Sequence, residues 1–201
     1  MPTAKPFAPA CENNRDPILS VIGPLFANRR AVLEVGSGTG QHAVYFAAAL
    51  PHLQWFTSDQ AEYHAGIRLW IEDAGLPNLH APLTLDVLAQ PWPVLEADAV
   101  FSANTTHIMS WPMVEALFAG VADLLPDGGL FVLYGPFNYA GRYTSDSNAR
   151  FDRSLKARDP DSGIRDFEAL QRLAEKGGMR LVHDYEMPAN NRILHWRKRV
   201  E

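Results

Sequence analysis

The stretch Val32-Leu33-Glu34-Val35-Gly36-Ser37-Gly38-Thr39-Gly40 decides how this chain is read. A short, mostly apolar run from Arg30 to Val35 leads into three glycines at alternate positions, and Gln41–Leu50 then has helical composition and stops before Pro51. An apolar run of that length ending in glycines suits a buried parallel strand. Without Cβ atoms the chain can turn tightly at the glycines and let a ligand approach its backbone. The start of the helix that follows offers unpaired N–H groups to a carboxylate or phosphate. The third glycine stands at the second residue after Gly38, whereas a dinucleotide-binding fingerprint places it one residue later. The competing reading is a glycine turn that does no more than pack a helix on a strand, and the rest of the chain has to choose.

Outward from this stretch the strand–helix alternation continues. Asp16–Phe26 reads as a first helix entered through Asp16-Pro17, with Asp at the cap and Pro at the first helical position. Leu53–Thr57 is strand-like, Ala61–Ala74 is a helix closed by Gly75, and Leu83–Leu85 and Ala97–Ser102 are short strands. Trp111–Leu125 is a helix halted by Pro126-Asp127-Gly128-Gly129, and Leu130–Tyr134 is a fifth strand. After the helix Asp166–Lys176 the rhythm breaks: Met179–Glu186 and Arg192–Arg199 are separated only by Met187-Pro188-Ala189-Asn190-Asn191. Five residues cannot hold a crossover helix, so these two strands form an antiparallel hairpin. The expected fold is α/β, a Rossmann-like doubly wound sheet of seven strands, mostly parallel with a C-terminal antiparallel hairpin. One domain is expected over 1–201, with an N-terminal arm over 1–16, of which Met1–Pro9 is loosely held, and an acceptor lid over 135–165.

Acidic residues at the strand ends sharpen the reading of the glycine turn. Asp59, with Gln60 beside it, follows the second strand nineteen residues beyond Gly40. That place suits a carboxylate accepting hydrogen bonds from both ribose hydroxyls of a nucleoside, or an N-cap for the helix near Ala61. Asp86, followed by Val87, ends the third strand, where an acceptor can meet an adenine amine, or where a plain loop carboxylate can sit. Three features in order at three successive strand ends are more specific than any one of them.

Bulk properties narrow the classes. The net charge of −5 disfavours nucleic acid as an obligate partner. A single cysteine, Cys11, allows neither an internal disulfide nor a cysteine zinc site, and no metal is expected. Met1–Ala10 lacks the charged and apolar regions of a secretory signal, and no apolar run approaches membrane-spanning length, so the expected setting is the cytoplasm, with no membrane partner.

Gly36-Ser37-Gly38-Thr39-Gly40 and Leu125-Pro126-Asp127-Gly128-Gly129 resemble the first-strand and pre-fifth-strand motifs of class I S-adenosylmethionine-dependent methyltransferases. The terminal hairpin is the arrangement of that class too; dehydrogenases usually finish on a parallel strand. More narrowly, Ala10–Arg15, Ser102–Trp111, Tyr134–Phe137, Ser145–Asn148, Gly163–Asp166 and Met187–Asn191 resemble the family of methyltransferase-like protein 26 and its bacterial relatives. The likeness runs over nearly the whole chain and implies S-adenosylmethionine as cofactor, held by Arg15, Glu34, Gly36, Ser37, Gly38, Gly40, Asp59, Gln60, Asp86, Val87 and Asn104. It brings no acceptor. Many members carry a different residue where this chain has Asn13, which leaves Glu12 and Arg15 usable.

In an open α/β sheet the ligand sits beyond the carboxyl ends of the strands, so the loop Ser102–Ser110 is expected to face the sulfonium. Asn104 is expected to touch cofactor or acceptor, and His107 is the candidate general base, or else a capping histidine. Methyl transfer needs mainly alignment, because the sulfonium is already electrophilic. The Asp/Asn-Pro-Pro-aromatic signature of amino-methylating enzymes and a cysteine for pyrimidine chemistry are both missing from this loop. The long stretch 135–165 is the expected acceptor lid, with a solvated amphipathic helix over Ser147–Ala157 as the alternative. Residues expected on the acceptor are Glu12, His107, Tyr134, Asn138, Asn148, Arg165 and Asn191, the last also explicable as turn chemistry. Arg15 sits where a helix start disfavours a cation, which points to function. The expected activity is methyl transfer to a small molecule or a protein side chain. Its rivals are a non-catalytic binder of S-adenosylmethionine or S-adenosylhomocysteine, and a nicotinamide-dependent oxidoreductase.

Overall fold

In the computed structural model, which describes residues 4–200, the glycine-ended run is strand β1 (Ala31–Val35), and all five of its residues are buried. Burial on both faces is what a central parallel strand requires, and it explains why β1 reads as a continuous apolar run rather than an alternating one. Contacts divide the chain into two units, Met1–Ser102 and Ala103–Glu201.

The first unit runs α1 (Pro9–Phe26), β1, α2 (Gln41–Ala49), β2 (Gln54–Asp59), a 3-10 turn (Ala61–Tyr63), α3 (His64–Ala74), β3 (Leu79–Thr84) and β4 (Ala99–Ala103). β1 pairs in parallel with β2 and β4, and β2 with β3. Its core joins Ile18, Ile22 and Phe26 of α1 to a ring cluster of Phe46, Trp55 and Phe101, all fully buried.

The second unit runs α4 (Trp111–Leu124), β5 (Leu130–Gly135), β6 (Phe137–Asn138), α5 (Asp146–Arg158), β7 (Arg165–Asp166), α6 (Phe167–Lys176), β8 (Met179–Met187), a 3-10 turn (Pro188–Asn190) and β9 (Asn191–Lys198). β9 is antiparallel to both β5 and β8, and β6 and β7 form a separate parallel ladder. Phe118, Phe131 and Trp196 stack and meet edge-on at its core. The seven main strands follow the order β3-β2-β1-β4-β5-β9-β8, the expected mostly parallel sheet with a terminal antiparallel hairpin.

Two expectations shift. α1 begins at Pro9 rather than at the expected Asp16, so residues 9–16 are helical and Pro17 lies inside the helix. Pro9 takes the first helical position, where a missing N–H costs nothing. Pro17 costs the helix one backbone bond, and side-chain ties join this part of α1 to α2: Asn14 Oδ1 accepts from His42 Nε2 at 2.7 Å, and Tyr45 donates to Asp16. β3 starts four residues earlier than expected and ends at Thr84. The stretch 135–165 holds the β6–β7 ladder and α5, which lies where the alternative to a lid, a helix over Ser147–Ala157, was expected; its N-cap Ser145 accepts from the Asn148 N–H. Among the described residues no helix is long and apolar enough to cross a membrane, and no cluster of His, Cys, Asp and Glu could hold a metal.

Candidate functional site

Gly36, Gly38 and Gly40 all have positive φ, at 75°, 58° and 89°, a region that disfavours any residue with a side chain. The Gly36 and Ser37 N–H groups both donate to Ser58 O, which ties the loop to the end of β2. A Cβ on Gly40 would come within 3.2 Å of Ile67 Cα, so this glycine is fixed by the packing of α3. A Cβ on Gly38 would meet nothing within 4 Å. The loop is therefore pinned by packing at Gly40 and has open space at Gly38.

Beneath it lies Glu34, 2% exposed. Its carboxyl accepts from Ser37 Oγ at 3.0 Å and Trp55 Nε1 at 3.2 Å. Burial pushes its pKa up to about 7; the Trp55 and Ser37 bonds pull the other way, and Asp59 adds to the rise. Glu34 thus holds the loop from inside. Asp59, the last residue of β2, accepts from the Gly38 N–H at 2.7 Å and from the Gln60 N–H at 2.8 Å. Burial raises its pKa as well, against the two backbone bonds. The 3-10 turn that follows has Gln60 at its cap position with no side-chain cap, so Asp59 is engaged with the glycine loop instead. Asp86 is exposed and accepts from the Leu88 N–H in a local turn, with Val87 buried behind it.

α1 adds a further shell. Gln41, the first residue of α2, donates to Glu12 and accepts from Thr39 Oγ1 and the Ala8 N–H. Arg15 pairs with Glu12 at 2.7 Å, lies over the Tyr45 ring, and keeps a buried Nε without a partner. His42 is held neutral, at a pKa of about 4, by burial and by Arg15. The sequence singles out Glu12 and Arg15, and the structure adds Gln41 and His42 to the same cluster. Their signal was two polar residues opening a helix that is otherwise apolar.

In the second unit, Asn104 takes a φ of 59° and its N–H donates to Tyr134 O. A Cβ on Gly135 would lie 3.8 Å from the Phe137 ring and 4.0 Å from both Asn104 Oδ1 and His107 Nδ1, so these groups converge on the Gly135 backbone. His107 is 6% exposed, and its Nδ1 is buried without a hydrogen-bond partner. Burial first, then Arg165 and Arg158, lower its pKa to about 4. Arg165 does not join this convergence of Asn104 and His107. It donates to the backbone carbonyls of Thr106, Met109 and Asp161. Asn138 lies on the β6–β7 ladder with a buried, unpartnered Oδ1. Asn148 donates to Thr144 Oγ1 and Asn190 O, and Asn191 to Pro188 O, which ties both to the hairpin turn. The structure thus gathers Asn104, His107 and the Tyr134–Gly135 backbone, with Arg165 alongside, and sets Asn148 and Asn191 elsewhere.

The family described as a protein of unknown function (DUF938) matches residues 5–198. Among solved structures the chain is similar to an O-methyltransferase family protein from Burkholderia thailandensis, with 15% identity, a TM-score of 0.82, and coverage of 94% of this chain and 57% of that one. It is also similar to the apo form of the S-adenosylmethionine-dependent methyltransferase SibL, with 22% identity, a TM-score of 0.81, and coverage of 95% and 56%. A third is human N-acetylserotonin methyltransferase in complex with S-adenosylmethionine, at 14% identity, a TM-score of 0.80, and coverage of 95% and 53%. The chain spans little more than half the length of these proteins. At such identities the likeness establishes the fold, that of class I methyltransferases.

Proposed function

We propose that this chain, which belongs to the DUF938 family, binds S-adenosylmethionine at the glycine loop of its first unit and transfers the methyl group to an acidic hydroxyl of a small molecule. The observation that carries the reading is the loop itself: open space beside Gly38, with the Asp59 carboxylate hydrogen-bonded to the Gly38 N–H. That donor and acceptor set fits a nucleoside. Asp59 retains lone pairs for ribose hydroxyls, Gln60, Asp86 and Val87 are assigned to the adenine side, and Glu12 and Arg15 to the amino-acid end. Glu34 and Ser37 keep the loop in shape. When bound, S-adenosylmethionine supplies a methyl group on a sulfonium, which needs no activation by the protein.

On the acceptor side, His107 receives the hydroxyl proton at its bare Nδ1 as the oxygen gains the methyl group, and Asn104 Oδ1 orients that hydroxyl. An imidazole held near a pKa of 4 is a weak base, so the acceptor supported best is a phenol or enol rather than an alkyl alcohol. The similar protein from Burkholderia thailandensis is an O-methyltransferase family protein, which supports an oxygen acceptor. The resemblance to methyltransferase-like protein 26 is consistent with the cofactor and silent on the acceptor. A cytoplasmic setting belongs to the same proposal.

Calorimetric titration with S-adenosylmethionine, S-adenosylhomocysteine and NAD tests the cofactor. Both adenosyl ligands are expected to bind; binding of NAD alone would overturn the reading. Radiolabelled transfer into a panel of phenols and enols then tests the acceptor. His107→Asn is expected to slow it by about 100-fold or more with S-adenosylhomocysteine affinity unchanged. Adenosyl binding with no labelled product in small-molecule or protein fractions would favour a non-catalytic binding protein.

A further inference from the structure

Arg165 is a half-buried cation without a carboxylate partner among the described ion pairs, and that is costly unless something else is gained. Its Nε donates to Thr106 O at 3.0 Å, and Nη2 donates to Met109 O and, at 2.7 Å, to Asp161 O. Two of those carbonyls flank His107 in the chain, and a third tie, from the Gly163 N–H to His107 O at 2.9 Å, comes from the segment that carries Arg165. Residues 163–165 are themselves fixed from the other side. The Ile164 N–H donates to Asp152 Oδ1 at 2.7 Å, and Asp152, 1% exposed, also accepts from Lys156 and Tyr143. Gly163 has a φ of +154°, and a Cβ there would meet Asp152 Oδ1 at 2.9 Å. A rigid chain of contacts therefore runs from α5 through Asp152 to Arg165 and the loop after β4.

We propose that Arg165 is the positioning residue of His107: its guanidinium binds the backbone of the loop that carries the imidazole and so fixes where Nδ1 points. This rests on His107 being the base of the proposed reaction. Neutral backbone or amide donors could satisfy the same carbonyls, so bracing alone does not call for a charge. The charge has a consequence at the ring. Among the described residues the groups around His107 are Arg165 from β7, Arg158 and the Phe151 ring from α5, and Asn104 and the Gly135 backbone; the charged ones are both cations, and both favour the neutral imidazole. Arg165 thereby couples the position of the ring to its readiness to accept a proton.

Titration of His107 by heteronuclear NMR in the free protein tests this without cofactor or acceptor. Arg165→Met is expected to raise the His107 midpoint by about half a pH unit or more, and Arg165→Lys by less than half as much, because the charge is kept. A midpoint unmoved in a folded Arg165→Met protein overturns the proposal and reduces Arg165 to a structural brace. Should that variant not fold, Arg165→Lys decides through hydrogen exchange. Loss of the planar donor array is expected to speed exchange at the Gly163 amide about tenfold or more with global stability unchanged. Unchanged protection there overturns it equally. Failure of the methyltransferase reading would register in the adenosyl-ligand titrations and leave these results intact.

Discussion

Replacement of Asp59 by Ala isolates the part of the site on which cofactor binding most depends. Both carboxylate oxygens are already engaged by backbone N–H groups, Oδ2 by Gly38 and Oδ1 by Gln60, so the side chain is held in place before any ligand arrives. A preorganised, ionised acceptor is worth more than a neutral one, and losing a charged hydrogen-bond partner costs about 1.5–3 kcal/mol. On that basis Asp59→Ala should weaken S-adenosylhomocysteine binding by about 10- to 100-fold, since 1.4 kcal/mol is a factor of ten. The structure adds a pH signature. Burial raises the Asp59 pKa, so the carboxylate that accepts from ribose is lost on acidification sooner than an ordinary aspartate would be. Affinity of the wild-type protein should fall as pH drops through that raised value, and the Ala variant should show no such limb from this residue. Isothermal titration at several pH values reads both. A change of less than about threefold in a folded Asp59→Ala protein would show that Asp59 shapes the loop without touching ligand.

Glu34→Gln should remove a pH dependence of stability. The Glu34 pKa rises from 4.5 to about 7 on folding, so the folded state holds the proton more tightly and stability falls as pH climbs through that window, by about 3 kcal/mol at most. Urea melts at pH 5 and pH 8 should therefore differ more for wild type than for Glu34→Gln, and equal differences would contradict the burial argument. Gly163→Ala should destabilise the protein by about 2 kcal/mol in chemical denaturation, because the new Cβ meets the buried, triply bonded Asp152 carboxylate in a backbone region that disfavours side chains. Asn14→Ala leaves the His42 Nε2 without its acceptor and should cost about 1–2 kcal/mol of stability, with His42 remaining neutral at pH 7. A protonated His42 in that variant would refute burial as the cause.

What could be read from the sequence was what short-range chemistry determines. β1 and its loop were legible because an apolar run and three glycines are a local pattern, and the hairpin because five residues leave room for nothing else. The start of α1 was misplaced because Asp16-Pro17 is a strong local start signal, while the ties that keep residues 9–16 helical lie on α2, about thirty residues away. Asp59 and His107 drew notice as polar residues following strands, a position that the sequence does show. The use made of Arg165 was not legible, since its acceptors at Thr106 and Met109 are separated from it by 59 and 56 residues and are backbone atoms, which carry no sequence signature. Asn148 is the converse case: a polar residue in a long connecting stretch looks available, while its amide donates to Thr144 and Asn190.

The place of β9 between β5 and β8 has a consequence for how the protein is made. The strands of the first unit are complete once the ribosome has passed Ala103, so that unit can acquire its parallel pairings as it emerges. β5 cannot gain its antiparallel partner until residues 191–198 leave the exit tunnel, which at about 5–20 residues per second takes about 3–13 s longer. For that interval one edge of Leu130-Phe131-Val132-Leu133-Tyr134-Gly135, six residues that end up wholly buried, is a bare template for pairing with other chains. Aggregation during synthesis is therefore set by this one delayed strand, and a chaperone that shields β5 until the last strand arrives should raise soluble yield without altering the folded protein.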